Sequence, residues 1–538
     1  MTENGTLNYR WSQAMVAGFV AAGISRAVIS PGSRSTPLAL AMLRQNGLVC
    51  DVAVDERSAA FFALGMAKAS RLPVLLLATS GTAPANWLPA VIEASQSGIS
   101  LILLSADRPP ELQGCGANQT IDQINLFGCH VRASHALGTP DSTFDPAYLH
   151  HLAARACAQA TWPYPGPVHI NQPFREPLLP TLDVPFGNPP SKIRIHPPTQ
   201  APSPEAIKEL SEAISGRPGL IVCGQLENSP EFASAVTQLA DKLSCPIFAE
   251  PLSNLRYGKH SQAQICQRYN RWLTDPAFIP EHRPAWVLRF GAYPVTRHLQ
   301  ALLAAIDGPH ALVDPWPRWS DPAQRLTHLL RADPASVCHA LTAQPIQPAA
   351  ATWSAAYKTI DQQTGDDPAA PHIPILLAEL PDNCPLFVGN SLAIRQLDSN
   401  SGSGEKRLYF YANRGASGID GNISTTAGIA AIHGRAVALL GDLTCQHDLG
   451  GLALLAGRDV VIVAVNNAGG GIFDYLPQAA LPEFEIGWRT PQQINFKHAA
   501  LTFGINHAAA DNLETFRSAI RQGIAQGGAH LVELKSLE

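Results

Sequence analysis

Asp442, the Asn466-Asn467 pair and three consecutive glycines, Gly469 to Gly471, are the residues of this chain best suited to chemistry. A carboxylate, side-chain amides and a backbone freed by glycine supply the hard oxygens that a small divalent cation requires, and such a cation keeps positions open for phosphate oxygens. The pattern predicts a metal-diphosphate site. Its spacing fits one parallel unit: residues 435–440 are an apolar run of strand length, a helix is expected over roughly 448–456, and the strand VVIVAVNN ends in the amide pair. Ligands of such sheets bind beyond the carboxyl ends of the strands, where Asp442 and the two asparagines fall. Singly, Gly-Asp and Asn-Asn are ordinary turn residues; together, at this spacing, they favour a shared ion.

Glu56 lies between an apolar strand and an Ala-rich helix in VAVDERSAAFFALGMAKAS. Alone it is a helix-start acid of the kind the macrodipole favours. Four arginines occupy turn-like segments: Arg34 in SPGSRSTP, Arg108 in ADRPPEL, Arg395 in GNSLAIRQLD and Arg414 in NRGASGIDG. Ser33 and Arg34 precede a helix start marked by Ser35, Thr36 and Pro37, whose free N–H groups favour an anion, while Arg34 offers a bidentate partner for carboxylate. Asn118 and Gln119 follow Arg108 in GANQTID. Any one of these arginines alone reads as a surface ion pair. Four in motif-like contexts point to polyanionic substrates.

The Gly-Asp, its spacer and the Asn-Asn resemble the signature of the thiamine diphosphate enzymes. That resemblance implies thiamine diphosphate as cofactor, with Mg2+, or Mn2+ in its place, held by Asp442, Asn467 and the backbone oxygen of Gly469. It implies that Glu56 is catalytic, facing N1′ of the cofactor's aminopyrimidine from a dry pocket in which its neutral form is accessible. Thr79 and Gly81 resemble the loop beside the pyrimidine, Ile419 the apolar wedge that bends the cofactor, and Ile472 and Phe473 the walls of its pocket. In the family the acid and the metal site meet between two subunits, so a homodimer or a dimer of dimers is implied.

The stretches SPGSRSTPLALA, DERSAAFFALGMAKAS, TSGTAPANWLPAVIEA, LLSADRPPEL, GANQTID, VGNSLAIRQLD and NRGASGIDG are similar to one subfamily, the 2-succinyl-5-enolpyruvyl-6-hydroxy-3-cyclohexene-1-carboxylate synthases of menaquinone biosynthesis (the MenD subfamily). These are transferases that decarboxylate 2-oxoglutarate and add the resulting succinyl carbanion to isochorismate in a 1,4 manner. The resemblance assigns the substrates' carboxylates and hydroxyl to Ser33, Arg34, Arg108, Asn118, Gln119, Ser391, Arg395 and Arg414, with Arg297 from the central segment standing where a lysine is expected. Two further departures are Leu443, where the wider family has glycine, and Gly450, where HDLG replaces HDLN. Another thiamine diphosphate-dependent 2-oxo acid decarboxylase or carboligase would share Glu56 and the metal signature, but has no need of several arginines around an acceptor.

The elements that must position these residues read as α/β throughout: three successive doubly wound parallel-sheet domains over 1–190, 200–345 and 352–538, of which the resemblance implies that the first binds the pyrimidine and the third the diphosphate. Strands are expected at 27–30, 74–78, 101–105, 219–223, 286–290 and 311–313, helices at 38–44, 58–70 and 84–94, and a Pro-rich linker at 196–207. A chain of 538 residues exceeds what a single core sustains. The net charge of −5 argues against a nucleic-acid protein. Ten scattered cysteines without a CxxC pair predict free thiols in a reducing, cytoplasmic compartment. The N-terminus lacks a signal-peptide pattern and no apolar run is of spanning length, so no integral membrane association is expected.

Overall fold

Runs such as VLLLA, LILL and VVIVA are apolar at every position, a pattern that suits strands covered on both faces. In the computed structural model, which describes residues 2–180, 191–227, 229–275 and 278–535, they become central strands: Val74–Ala78 and Leu101–Asp107 are wholly buried. Three six-stranded sheets result, and every strand pairing is parallel. The expected end of the first segment, residue 190, lies outside the described residues.

The first sheet is ordered Val49–Val52, Arg26–Ile29, Val74–Ala78, Leu101–Asp107, Val168–Pro173, Ala133–Ala136. The third repeats this order with Leu408–Tyr411, Cys384–Val388, Arg435–Gly441, Asp459–Asn466, Ala529–Lys535 and Asn506–Ala510. The middle sheet runs His328–Leu330, His310–Val313, Trp286–Phe290, Gly219–Cys223, Ile247–Ala249, Ile265–Cys266, a doubly wound order growing outward from its first strand. In each outer sheet the chain reverses direction of growth between the first and third strands, which opens a crevice at their carboxyl ends.

The outer sheets are joined by two helices, Glu56–Ser70 and Asn422–His433, which share one apolar core containing Phe61, Phe62, Met66, Ile423 and Ala427. Glycine makes the approach possible. A Cβ on Gly65 would lie 2.0 Å from the carbonyl oxygen of Thr425, and one on Gly428 would lie 2.1 Å from that of Phe62.

Several expected elements are redrawn. The helix after strand Arg435–Gly441 starts at Asp442 itself and ends at His447; Leu449–Leu455 is a 3-10 helix, because Gly450 and Gly451 replace helix formers just where an α-helix would continue. The helix expected at 84–94 is two, Thr82–Ala85 and Leu88–Ser97, the second restarting with Pro89 in its first turn. Arg395 sits within the helix Leu392–Asn400 rather than in a turn. The linker ends earlier than expected, at Ser203, whose side chain caps the helix Pro204–Ile214. The helix Ala351–Gln363 packs on the middle sheet: Tyr357 joins its core, and Trp353 Nε1 donates to the carbonyl of Gly219.

Candidate functional site

The strands Arg435–Gly441 and Asp459–Asn466 are direct neighbours, with Gly441 opposite Val465, so Asp442 and Asn467 leave the same sheet edge side by side. Asp442 is buried, and both of its carboxylate oxygens are aimed by the backbone: Oδ1 accepts from the N–H of Leu443 at 2.8 Å and Oδ2 from that of Gly469 at 2.7 Å. Burial pushes its pKa upward against those hydrogen bonds. Asn467 Oδ1 is buried without a hydrogen-bond partner among the described residues. A buried amide oxygen left without a donor, on the loop that also holds a buried carboxylate, suits a cation.

Gly469 completes the set. Its φ of +141° is closed to other residues, and a Cβ there would lie 2.3 Å from the carbonyl of Arg489. Arg489 in turn donates to the carbonyl of Asn467 at 2.7 Å, and Asn466 is held by Glu533 at 2.7 Å. A Cβ on Gly471 would lie 2.3 Å from Asn467 Nδ2, so the glycines keep the amide's surroundings clear. One carboxylate, one amide oxygen and one carbonyl fit a hard divalent ion carrying a diphosphate; among the described residues there is no cluster of three His, Cys, Asp or Glu to offer a different kind of site. Ile472 and Phe473 lie on the 3-10 helix Gly471–Tyr475, half-buried.

At the matching edge of the first sheet, three loops converge. A Cβ on Gly32 would strike the side chain of Thr79, which puts the Ser33-Arg34 turn against the Thr79–Gly81 loop. Arg34 is buried; Nη1 donates to the carbonyl of Phe174 at 3.0 Å, and Nη2 pairs with the exposed Glu176 at 2.9 Å. Arg108 donates to Ser80 Oγ, and its pKa is lowered by burial and by the nearby positive charge of Arg34. Gln119 Nε2 donates to the carbonyl of Ser80 at 2.9 Å. Ser33 is exposed at this edge, as is Asn118 on the loop that carries Gln119.

A second basic cluster stands at the third sheet. Ser391 holds a φ of +67° at the end of strand Cys384–Val388 and its carbonyl accepts from Arg395 Nη1 at 2.7 Å. Arg414 Nη1 donates to Asn390 Oδ1 at 2.6 Å. Burial lowers the pKa of both arginines; Arg297 lowers that of Arg395 further, and Arg395 that of Arg414. Arg297 is exposed at the first position of the helix Arg297–Ala305 in the middle unit, and its charge is felt at Arg395 from there. Ile419 is 37% exposed at the Gly418–Asp420 bend beside it.

Glu56 heads the helix Glu56–Ser70, next to Asp55, whose carboxylate caps the helix from the preceding position. Within one chain Glu56 is half-buried, and the expected dry pocket is not closed around it: Val52 and Val54 beside it are 57% and 84% exposed. A Cβ on Gly450 would lie 3.1 Å from Asp55 Oδ2, a tight contact that a small shift of that exposed carboxylate relieves. The sequence alone does not point to Asn390, which aims Arg414, or to Arg489, which braces the Asn467–Gly469 loop. Asn390 is marked only by its place beside Ser391 in GNS, whereas Arg489 meets the loop only through tertiary contact.

Over residues 10–126 the chain matches the N-terminal TPP binding domain of thiamine pyrophosphate enzymes, and over 402–534 the C-terminal TPP binding domain. It is 62% identical to the 2-succinyl-5-enolpyruvyl-6-hydroxy-3-cyclohexene-1-carboxylate synthase of Dechloromonas aromatica (strain RCB), covering 99% of this chain and 100% of that one. The enzyme of the same name from Geobacillus thermodenitrificans (strain NG80-2) is 40% identical over 97% of this chain and 92% of its own length. Among solved structures, benzoylformate decarboxylase from Polynucleobacter necessarius superposes with a TM-score of 0.73 over 98% of both chains at 16% identity, a likeness of fold.

Proposed function

The chain belongs to the 2-succinyl-5-enolpyruvyl-6-hydroxy-3-cyclohexene-1-carboxylate synthase family of thiamine diphosphate enzymes, and on that footing we propose how its residues divide the work. The protein is a transferase that decarboxylates 2-oxoglutarate and joins the remaining succinyl unit to isochorismate, releasing CO2, in menaquinone biosynthesis. Thiamine diphosphate, when bound, supplies the electron sink for loss of CO2.

We assign Mg2+ to Asp442, Asn467 and the carbonyl of Gly469. Ile472 and Phe473 wall the cofactor, Ile419 wedges it, and Thr79 and Gly81 border its pyrimidine. Glu56 holds and moves a proton at pyrimidine N1′. Arg34, Arg108, Ser33, Asn118 and Gln119 orient one anionic substrate, while Ser391, Arg395, Arg414 and Arg297 grip a carboxylate of the other; holding both reactants converts a bimolecular encounter into a local one and keeps water from the reacting carbon. The observation that carries this reading is the orphaned Asn467 oxygen on the same loop as Gly469, whose N–H holds the buried carboxylate of Asp442.

The half-open surroundings of Glu56 and its exposed valines support closure of the pocket by a second chain, hence at least a homodimer. Ten free cysteines support a reducing, cytoplasmic setting, and no helix among the described residues is long and apolar enough to cross a membrane. Three domains are proposed, over 1–190, 200–345 and 352–538, with the helix Ala351–Gln363 lying against the middle one. Mass spectrometry of the products formed from 2-oxoglutarate with and without isochorismate tests the reading: a succinylated cyclohexene carboxylate appears only with both. Succinic semialdehyde alone, regardless of acceptor, would instead mark a simple decarboxylase.

A further inference from the structure

Arg414 is bracketed from a different sheet. Glu93, on the helix Leu88–Ser97 of the first unit, places Oε1 3.0 Å from the N–H of Gly415 and Oε2 2.7 Å from that of Ala416. Lys68, in the last turn of the helix Glu56–Ser70, donates to the carbonyl of Ala412 at 2.8 Å and pairs with Glu93 at 3.4 Å. Ser97 Oγ adds a donor to Glu93 at 2.6 Å. The residues on both sides of Arg414 are thus tied to the first unit, while its guanidinium is aimed from the third by Asn390.

We infer that Glu93 and Lys68 are positioning residues that set the Arg414 loop for its substrate carboxylate, an inference that rests on Arg414 being a carboxylate ligand. Both side chains are nearly inaccessible, at 3% and 5% exposure. An ion pair so buried is seldom more stabilising than apolar residues of the same shape, so stability of the fold alone gives little reason for it. Its hydrogen-bonding capacity is directed at three backbone groups within the five residues centred on Arg414. The loop is also pressed onto the Glu93 helix: a Cβ on Gly415 would lie 2.6 Å from both the carbonyl of Glu93 and Ser97 Oγ.

Two variants test the inference against one control. Glu93→Gln turns one acceptor oxygen into a donor facing a donor. Gly415→Ala leaves the Lys68–Glu93 pair intact and displaces the loop by overlap. Hydrogen bonds to a charged group are worth about 1.5–3 kcal/mol, so the expected effect is a rise in KM of roughly tenfold or more for one substrate. We expect kcat to stay within about twofold and thiamine diphosphate affinity to be unchanged, a split that general loosening would not produce. Arg414→Lys identifies which substrate's KM must move. If Arg414→Lys raises a KM while both other variants keep wild-type values, the positioning role is overturned. If Arg414→Lys changes neither KM, the assignment of Arg414 itself fails. If Glu93→Gln does not fold, Glu93→Asp, which keeps the charge facing Lys68 but shortens the reach to the N–H groups of Gly415 and Ala416, takes its place.

Discussion

Replacing Asp442 by asparagine separates a metal ligand from a turn residue. The wild-type carboxylate accepts two backbone N–H groups, at 2.8 and 2.7 Å, while 3% exposed. Asparagine must turn its NH2 toward one of them, losing a hydrogen bond to a charged acceptor worth about 1.5–3 kcal/mol. It also removes a negative charge next to the cation; two unit charges 4 Å apart at an effective dielectric of 20 interact by about 4 kcal/mol. Against these losses stands the burial penalty that raises the carboxyl's pKa, which the neutral side chain escapes. The cofactor-free protein should therefore lose about 1 kcal/mol or less, because the missing hydrogen bond and the relieved burial oppose one another. The holoenzyme should bind thiamine diphosphate with Mg2+ about a thousandfold more weakly, corresponding to about 4 kcal/mol. Calorimetric titration gives the affinity, and thermal melting without cofactor gives the stability. Wild-type binding would be weakened by acid as Asp442 takes up its proton, and the variant would not share that dependence. Affinity within threefold of wild type, or a large loss of cofactor-free stability with binding intact, would refute a ligand role for Asp442.

Glu56→Gln should abolish product formation while Mg2+-dependent thiamine diphosphate binding stays within about twofold; a fully active variant removes Glu56 from the chemistry. Arg395→Gln should raise KM for one anionic substrate by ten- to a hundredfold, the range set by losing a charge-assisted contact of about 1.5–3 kcal/mol; steady-state kinetics with each substrate varied in turn reads it. Gly65→Ala should lower stability by about 1–3 kcal/mol through overpacking against the carbonyl of Thr425, seen as a fall in the urea midpoint with m unchanged. Asp448 is buried with its pKa raised from 3.8 to about 6; between those values the folded state holds a proton the unfolded state has released. Its contribution thus falls by about 3 kcal/mol as pH rises through that window, and Asp448→Asn should flatten this slope in denaturation measured from pH 4 to 7.

Central strands were legible because they are short runs of buried aliphatics, and the sheet edges could be read from where such runs end in Asp442, Asn466 or Asp107; the edge strands Val49–Val52, Ala133–Ala136 and Asn506–Ala510 were not, being partly exposed and mixed in polarity. Helix limits were less legible, since strand Arg435–Gly441 runs into helix Asp442–His447 with no loop between them, and the double glycine tightens residues 449–455 into a 3-10 helix. The helix Ala351–Gln363 shows a different limit. The Pro-rich stretch before it reads as a boundary, but Trp353 and Tyr357 return to the middle sheet, and no local signal says which of two sheets an aromatic pair will cover. At the site, residue types and spacing pointed to Asp442, Asn467 and the arginines because their chemistry is local. Arg489, Glu93 and Lys68 act through loops far away in sequence, and nothing in their own neighbourhoods announces the partner.

The helix Glu56–Ser70 ties these levels together. Its alanines and Gly65 are small on the face that meets Asn422–His433, and that smallness lets two backbones approach until carbonyls would strike any added Cβ. Such a crossing leaves little freedom to slide, because sliding would bring a larger residue under the Thr425 or Phe62 carbonyl. The helix therefore behaves as a rod, and at 1.5 Å of rise per residue its first residue, Glu56, and its last-turn Lys68 are held about 18 Å apart. One end carries Glu56, the acid proposed to handle the proton; the other, with Glu93, is hydrogen-bonded to the backbone around Arg414. Close packing between the outer units is thus what relates the placement of Glu56 to that of Arg414, and a substitution that only enlarges Gly65 should disturb both ends although it touches neither.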